Sequence, residues 1–147
     1  MSVTYEHTTH ASCSAHQAFA VLDDLPRTSE WLKPCHSLKK IIAGPNAIGD
    51  RLKYEYSEGG RVKMMDGEII ARRQDEQIVC RYADDMFEVI VDLSVEPATE
   101  GCKLTHVITM TPKKFFAKIL TPLIRIGIKK QTRDAMTALK QILEVAS

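Results

Sequence analysis

Alternation of apolar and polar residues first appears at residues 3–11, where Val3, Tyr5, His7, Thr9 and Ala11 share one parity and Thr4, Glu6, Thr8 and His10 the other. A period of two with one apolar side predicts a half-buried strand. Ser14 and Gln17 then stand three apart, just ahead of Phe19, Val21 and Leu22. That is capping-box spacing, and it predicts a short helix ending near Asp24. Pro26 suits the first turn of a second short helix carrying Trp31 and Leu32, which Pro34 would stop.

From His36 to Met110 the pattern is one of strands punctuated by turn signals, at Gly44-Pro45-Asn46, Glu58-Gly59-Gly60, Arg73-Gln74-Asp75, Ala83-Asp84-Asp85 and Pro97 to Gly101. Six strands fit between them, seven with the first, and the connections are too short for parallel crossovers, so an antiparallel meander is expected. Parity names the buried face. Phe87, Val89, Val91, Leu93 and Val95 oppose Glu88, Asp92, Ser94 and Glu96, and Cys102, Leu104, His106, Ile108 and Met110 oppose Lys103, Thr105 and Thr109. Leu52, Tyr54 and Tyr56 oppose Arg51, Lys53 and Glu55, while Ile78, Cys80 and Tyr82 oppose Arg81. Only Arg61 to Ala71 has no clear parity, because Met64 and Met65 are adjacent, and Gly67 is expected to mark a bulge there.

After Pro112 the period becomes helical. Thr132, Ala135, Met136, Leu139, Ile142, Leu143 and Ala146 form the buried stripe of an amphipathic helix. Phe115 to Ile128 is apolar almost all round, and Pro122 and Gly127 are expected to kink or break it, dividing the closing helix in two. The elements make an α+β fold: a seven-stranded curved antiparallel sheet wrapped around a long C-terminal helix, with two short helices after the first strand. Such a sheet and one helix cannot pack solid, and an apolar cavity of the kind that holds small molecules is the expected result.

The 147 residues suit one domain, spanning 1–147, and 44% hydrophobic with 27% charged residues is ordinary for a globular chain. MSVTYEHTTH lacks a basic region followed by an apolar run, and no stretch of about 18 uncharged apolar residues occurs, so a cytoplasmic location is expected. Cys13, Cys35, Cys80 and Cys102 are widely spaced without a CxxC pair, which predicts reduced thiols and neither a zinc module nor a redox motif. Charge is uneven: residues 1–112 carry 12 Lys or Arg against 17 Asp or Glu, and residues 113–147 carry 8 against 2. A nucleic-acid binder would be basic as a whole domain and rich in exposed aromatics, and with aromatics at 6% no nucleic-acid partner is expected.

The order strand, two short helices with Trp31, six strands and one long helix resembles the helix-grip superfamily, often labelled SRPBCC. That group includes START lipid-transfer domains, birch-pollen-type allergens and bacterial polyketide cyclase/dehydrase-like proteins. The resemblance is carried by Ser14-Ala15-His16-Gln17-Ala18-Phe19, Ser29-Glu30-Trp31-Leu32, Ile48-Gly49-Asp50-Arg51 opening a strand, Gly101-Cys102-Lys103-Leu104-Thr105 opening the last strand, and the stripe from Met136 to Leu143. It covers essentially the whole chain. It implies the fold and a hydrophobic cavity, and it carries no shared catalytic set.

Within that frame, His7 and His106 sit on apolar faces of strands that become antiparallel neighbours. They would orient a ligand carbonyl or act as acid and base, or else be core histidines satisfied locally. No third ligand is spaced to join them on a metal, so neither metal nor cofactor is expected. Tyr54, Tyr56 and Tyr82 place hydroxyls on the inner face, for ligand recognition or for ordinary packing. Phe87, Val89, Val91 and Ile108 supply the apolar lining, with Leu120, Leu123 and Gly127 near the mouth. Asp66 and Glu68 are expected outside unless a bulge turns one inward, Trp31 is expected as an anchor of its helix, and Cys80 has no neighbour that would activate it. Residues 113–130 combine eight large apolar side chains with six Lys or Arg and no acid, which suits peripheral contact with an anionic membrane or, alternatively, a soluble wall of the cavity. The leading functional reading is binding, transport or sequestration of a hydrophobic molecule such as a lipid, quinone or polyketide-like compound. The alternatives are a cyclase or dehydratase using cavity His and Tyr, and an interaction module presenting the basic helix.

Overall fold

The computed structural model describes residues 2–146; the side chains of Phe116 and Ala146, both counted in the apolar patterns above, lie outside the described residues. The chain forms β1 (Val3–Ala11), α1 (Ala15–Asp23), a 3-10 turn (Leu25–Arg27), α2 (Thr28–Trp31), β2 (Cys35–Lys40), β3 (Arg51–Glu58), β4 (Arg61–Arg73), β5 (Gln77–Ala83), β6 (Phe87–Ala98), β7 (Gly101–Pro112), α3 (Phe115–Ile119) and α4 (Thr121–Ala146). The seven strands make one antiparallel sheet in the order β1-β7-β6-β5-β4-β3-β2. This is the meander that the turn spacing predicts, with the first strand returning to pair beside the last.

The local signals act where the sequence placed them. Ser14 caps α1: its hydroxyl accepts from the Gln17 amide at 3.1 Å, and the Gln17 side-chain oxygen accepts from the Ser14 amide at 3.0 Å. The second short helix is shorter than expected, because Pro26 starts a 3-10 turn before α2, and α2 ends at Trp31 with Leu32 already extended.

β4 corrects the expected bulge. The register passes from Ile69 opposite Cys80 directly to Ala71 opposite Val79, so the extra residue is Ile70 and not Gly67. Met65, Gly67 and Ile69 are buried on the concave face, while Asp66 is exposed at the cavity edge and Glu68 points outward, toward Arg81 at 3.3 Å and Arg51 at 4.0 Å. Gly67 has another reason to be glycine: a Cβ there would lie 2.6 Å from Cδ1 of Tyr82, whose ring lies on the β4 backbone. Beyond the bulge Arg72 stands opposite Ile78 and therefore shares its concave face. There its guanidinium grips Asp23 at the end of α1 through two bonds of 2.9 and 2.7 Å and lies 5.3 Å over the Phe19 ring. Burial alone would raise the Asp23 carboxyl pKa, but hydrogen bonds from Arg72 and Asn46 outweigh it and hold the group below its ordinary value.

The closing helix also differs from expectation. The break falls at Leu120, and α4 then runs 26 residues, about 39 Å, through Pro122 and Gly127 without interruption. Pro122 lies in the first turn, where no amide hydrogen is required, so it starts a helix instead of breaking one. Thr121 secures the junction by donating its hydroxyl to the Lys118 carbonyl at 2.6 Å. The buried stripe is Ile128, Thr132, Ala135, Met136, Leu139 and Leu143, and α4 packs chiefly along β1. At its far end Glu144 accepts from the Ser12 amide at 3.3 Å and from its hydroxyl. All four cysteines are free and buried, and among the described residues no helix is long and apolar enough to cross a membrane.

Overpacking tests the Gly67–Tyr82 contact. Gly67→Ala is expected to lower unfolding free energy by about 1–3 kcal/mol in urea denaturation, and the same change made on a Tyr82→Ala background should cost less than half as much. Equal costs in the two backgrounds would show that the Tyr82 ring is not what requires glycine.

Candidate functional site

Because α4 lies along β1, the concave faces of β3, β5, β6 and much of β7 are left to wall a cavity of about 1060 Å³. This volume is just above the roughly 300–1,000 Å³ usual for small-molecule sites. Its wall contains Tyr54, Tyr56, Tyr82, Phe87, Val89, Val91, His106 and Ile108 from the strands, and Leu120, Leu123 and Gly127 from the α3–α4 junction. These are the strand-face and mouth positions that parity and helix interruption singled out, with one exception. His7 stands opposite His106 in the β1–β7 register, as expected, but is not part of the cavity wall; it lies half-buried, stacked on Tyr5 with ring centroids 6.5 Å apart.

The buried end of the cavity is polar at two points. Trp31, on α2, walls the cavity and meets His106 edge-on, with ring centroids 6.5 Å apart and planes at 85°. The Trp31 indole nitrogen and both His106 ring nitrogens are buried without a hydrogen-bond partner among the described residues. Buried polar atoms are nearly always satisfied, so these three nitrogens mark a part of the cavity wall with unused hydrogen-bonding capacity. Burial, assisted by the nearby His7, lowers the His106 pKa to about 4, so the ring is neutral at physiological pH and offers one donor and one acceptor.

Across the cavity the three tyrosines form a cluster, with Tyr54 stacked on Tyr56 at 5.5 Å and tilted against Tyr82 at 5.1 Å. Tyr56 reaches the rim, where its hydroxyl donates to Asp84 at 3.3 Å, and burial with the Asp84 charge pushes its pKa up to about 12. Burial likewise raises Tyr54 and Tyr82 above the ordinary phenol range, and it raises the Cys80 thiol to about 11. Every one of these groups is therefore neutral near pH 7. Together with His106 they supply hydrogen-bonding groups without charge on that part of the wall.

Trp31 is the residue whose second position, on the cavity wall, the sequence did not show. It was expected to anchor its helix, and it does so at 4% exposure, but the same ring also faces the cavity. A helix of one turn has no periodicity from which that could be read. Met65, Cys80 and Met110 also line the wall, and for Cys80 and Met110 the strand parity already carried the signal. Among the described residues no three His, Cys, Asp or Glu side chains gather in a way that could hold a metal.

The family model described as polyketide cyclase / dehydrase and lipid transport matches residues 2–144. Among solved structures, the chain superposes on the Zhui aromatase/cyclase from Streptomyces sp. R1128 with a TM-score of 0.80 at 11% identity, covering 98% of this chain and 94% of that one. A START superfamily protein from Mycobacterium smegmatis gives 0.78 at 13% identity, with 98% and 99% covered. A polyketide-cyclase-like protein from Corynebacterium glutamicum gives 0.72 at 23% identity, with 99% and 94% covered. At these identities the likeness establishes the shared fold. No curated protein matches the chain by sequence.

The depressed His106 pKa makes stability depend on pH. A histidine that folds neutral contributes its full stability above its unfolded pKa near 6.5 and loses it as pH falls toward 4, by about 3 kcal/mol at most. Urea denaturation at pH 7 and pH 4.5 should show this loss, and His106→Leu should flatten it. An unchanged pH slope in that variant would mean that His106 titrates normally.

Proposed function

The chain belongs to the polyketide cyclase / dehydrase and lipid transport family, and on that premise we propose that its cavity binds a mostly apolar small molecule carrying a ketone, quinone or hydroxyl group. The observation that carries this reading is the placing of the unpartnered Trp31 and His106 nitrogens beside the mainly apolar wall of a cavity of about 1060 Å³, whose charged residues, Glu58, Lys63, Asp66, Asp84 and Asp85, come from the strand side. An indole N–H and a neutral imidazole can together receive a carbonyl oxygen, or a hydroxyl that both donates and accepts. The apolar wall takes the remainder of the ligand, and the tyrosines add hydroxyls on the opposite side without introducing charge.

Binding is favoured over proton-transfer catalysis on electrostatic grounds. A His106 of pKa about 4 is a weak base, and the buried phenols are poor acids. His7, the cross-strand neighbour of His106 that would complete an acid–base pair, does not wall the cavity. Holding or carrying a hydrophobic compound requires none of these proton shifts.

Trp31 is the only tryptophan, so its fluorescence reports directly on the buried end of the cavity. Titration with 2-methyl-1,4-naphthoquinone should quench it saturably at one ligand per chain. The hydrocarbon 2-methylnaphthalene, followed by displacement of the quinone, should bind about tenfold more weakly, the worth of one good hydrogen bond. His106→Leu should remove most of that preference while leaving hydrocarbon binding intact. The absence of saturable binding by either compound would overturn the proposal.

A further inference from the structure

We propose that the α3–α4 junction docks this protein on an anionic phospholipid surface, with the cavity mouth turned toward the lipid. The residues that carry this are apolar, cationic and exposed together. Phe115 is 78% exposed, Ile119 65%, and Leu123 and Ile126 each 68%. Further along α4 the same residue types behave in the opposite way: Met136, Leu139 and Leu143 are 1% exposed or less. If the lysines of this segment served only to keep a core-facing helix soluble, the apolar residues between them would be inside. Ile128 is, at 4% exposure, but these four are not, and scattered single exposures do not account for four large apolar side chains in twelve consecutive residues.

Charge selects the partner. Residues 113–133 contain Lys113, Lys114, Lys118, Arg125, Lys129 and Lys130 before Arg133, and the first acid is Asp134. Among the ion pairs of the described residues, only Lys130 of these six takes part, with Asp134 at 3.2 Å. On α4, Leu123 and Ile126 lie three residues apart on one outward stripe, and Arg125 and Lys129, four apart, flank it. A cationic helix face around exposed apolar side chains fits the headgroup region of an anionic bilayer, where the charges meet phosphates and the side chains enter the acyl boundary.

The position of this face gives the docking a consequence. Leu120 and Leu123 belong to the cavity wall as well as to the exposed face, and Met64, 48% exposed on β4, borders the same cavity. A ligand leaving the bilayer would therefore meet the cavity without crossing open water. The acids at the cavity, Glu58, Asp66, Asp84 and Asp85, all belong to the sheet side, and Glu58 is paired with Lys63 at 3.4 Å. They orient the molecule with the helical side, not the strand turns, against the anionic surface.

Sedimentation with vesicles of phosphatidylcholine alone, and of phosphatidylcholine mixed equally with phosphatidylglycerol, tests this. The protein should partition onto the mixed vesicles at about 0.1 M salt and detach at about 1 M, where charges are screened within about 3 Å. Lys118→Gln with Lys129→Gln should weaken partitioning about 25-fold, at about fivefold per cation. Ile119→Ser with Ile126→Ser should weaken it at least about tenfold, with quinone quenching of Trp31 unchanged because neither residue walls the cavity. Failure to partition, or salt-independent partitioning that the lysine variant does not alter, would overturn the proposal. So would light scattering that shows a dimer dissolved by the isoleucine variant, because the face would then belong to a second copy. A protein that docks but binds no quinone would leave this inference standing and defeat the cavity reading alone.

Discussion

An amphipathic helix has one apolar stripe, and in this protein that stripe lies along β1. Ile128, Thr132, Ala135, Met136, Leu139 and Leu143 cover the strand that pairs with β7, and they cannot also cover β3 to β6 on the far side of a seven-stranded sheet. The inner faces of those strands are nonetheless apolar. With α1 and α2 closing one end, the uncovered region becomes a chamber, so the cavity is a direct result of pairing one helix with so wide a sheet.

A chamber of this kind stays open only if its walls are held from outside it. The hold on α1 is ionic and depends on one inserted residue. The bulge at Ile70 turns Arg72 to the concave face, where it grips Asp23 and covers Phe19. On the same strand, the missing side chain of Gly67 lets the Tyr82 ring lie against the backbone, which in turn places the tyrosine cluster. One irregular strand thus fixes a helix at one point and a wall of the chamber at another.

Charge is separated in the same economical way. Inside, burial keeps His106 neutral and pushes Tyr54, Tyr82 and Cys80, already neutral at pH 7, further from ionising, leaving hydrogen-bonding capacity without charge at those residues. Outside, the cations concentrate on the segment that borders the mouth. A ligand that is apolar apart from one neutral polar group suits the interior, and an anionic surface suits the exterior.

By itself the sequence determined the element order, the antiparallel meander and most of the cavity wall, because strand parity and helical periodicity are local and a buried face repeats along its element. Val89, Val91, His106 and Ile108 were legible for that reason, as was the Ser14–Gln17 cap. Features that depend on a partner element were not legible. Gly67 carries no local sign that a distant ring needs its space, and the bulge at Ile70 is visible only against the register of β5. Pro122 and Gly127 read as breaks, yet the helix starts at one and runs through the other, because their effect depends on where the first turn begins. His7 has the parity of a cavity residue but not the position, since parity gives the face of a strand and only the tertiary packing decides which part of that face α4 covers.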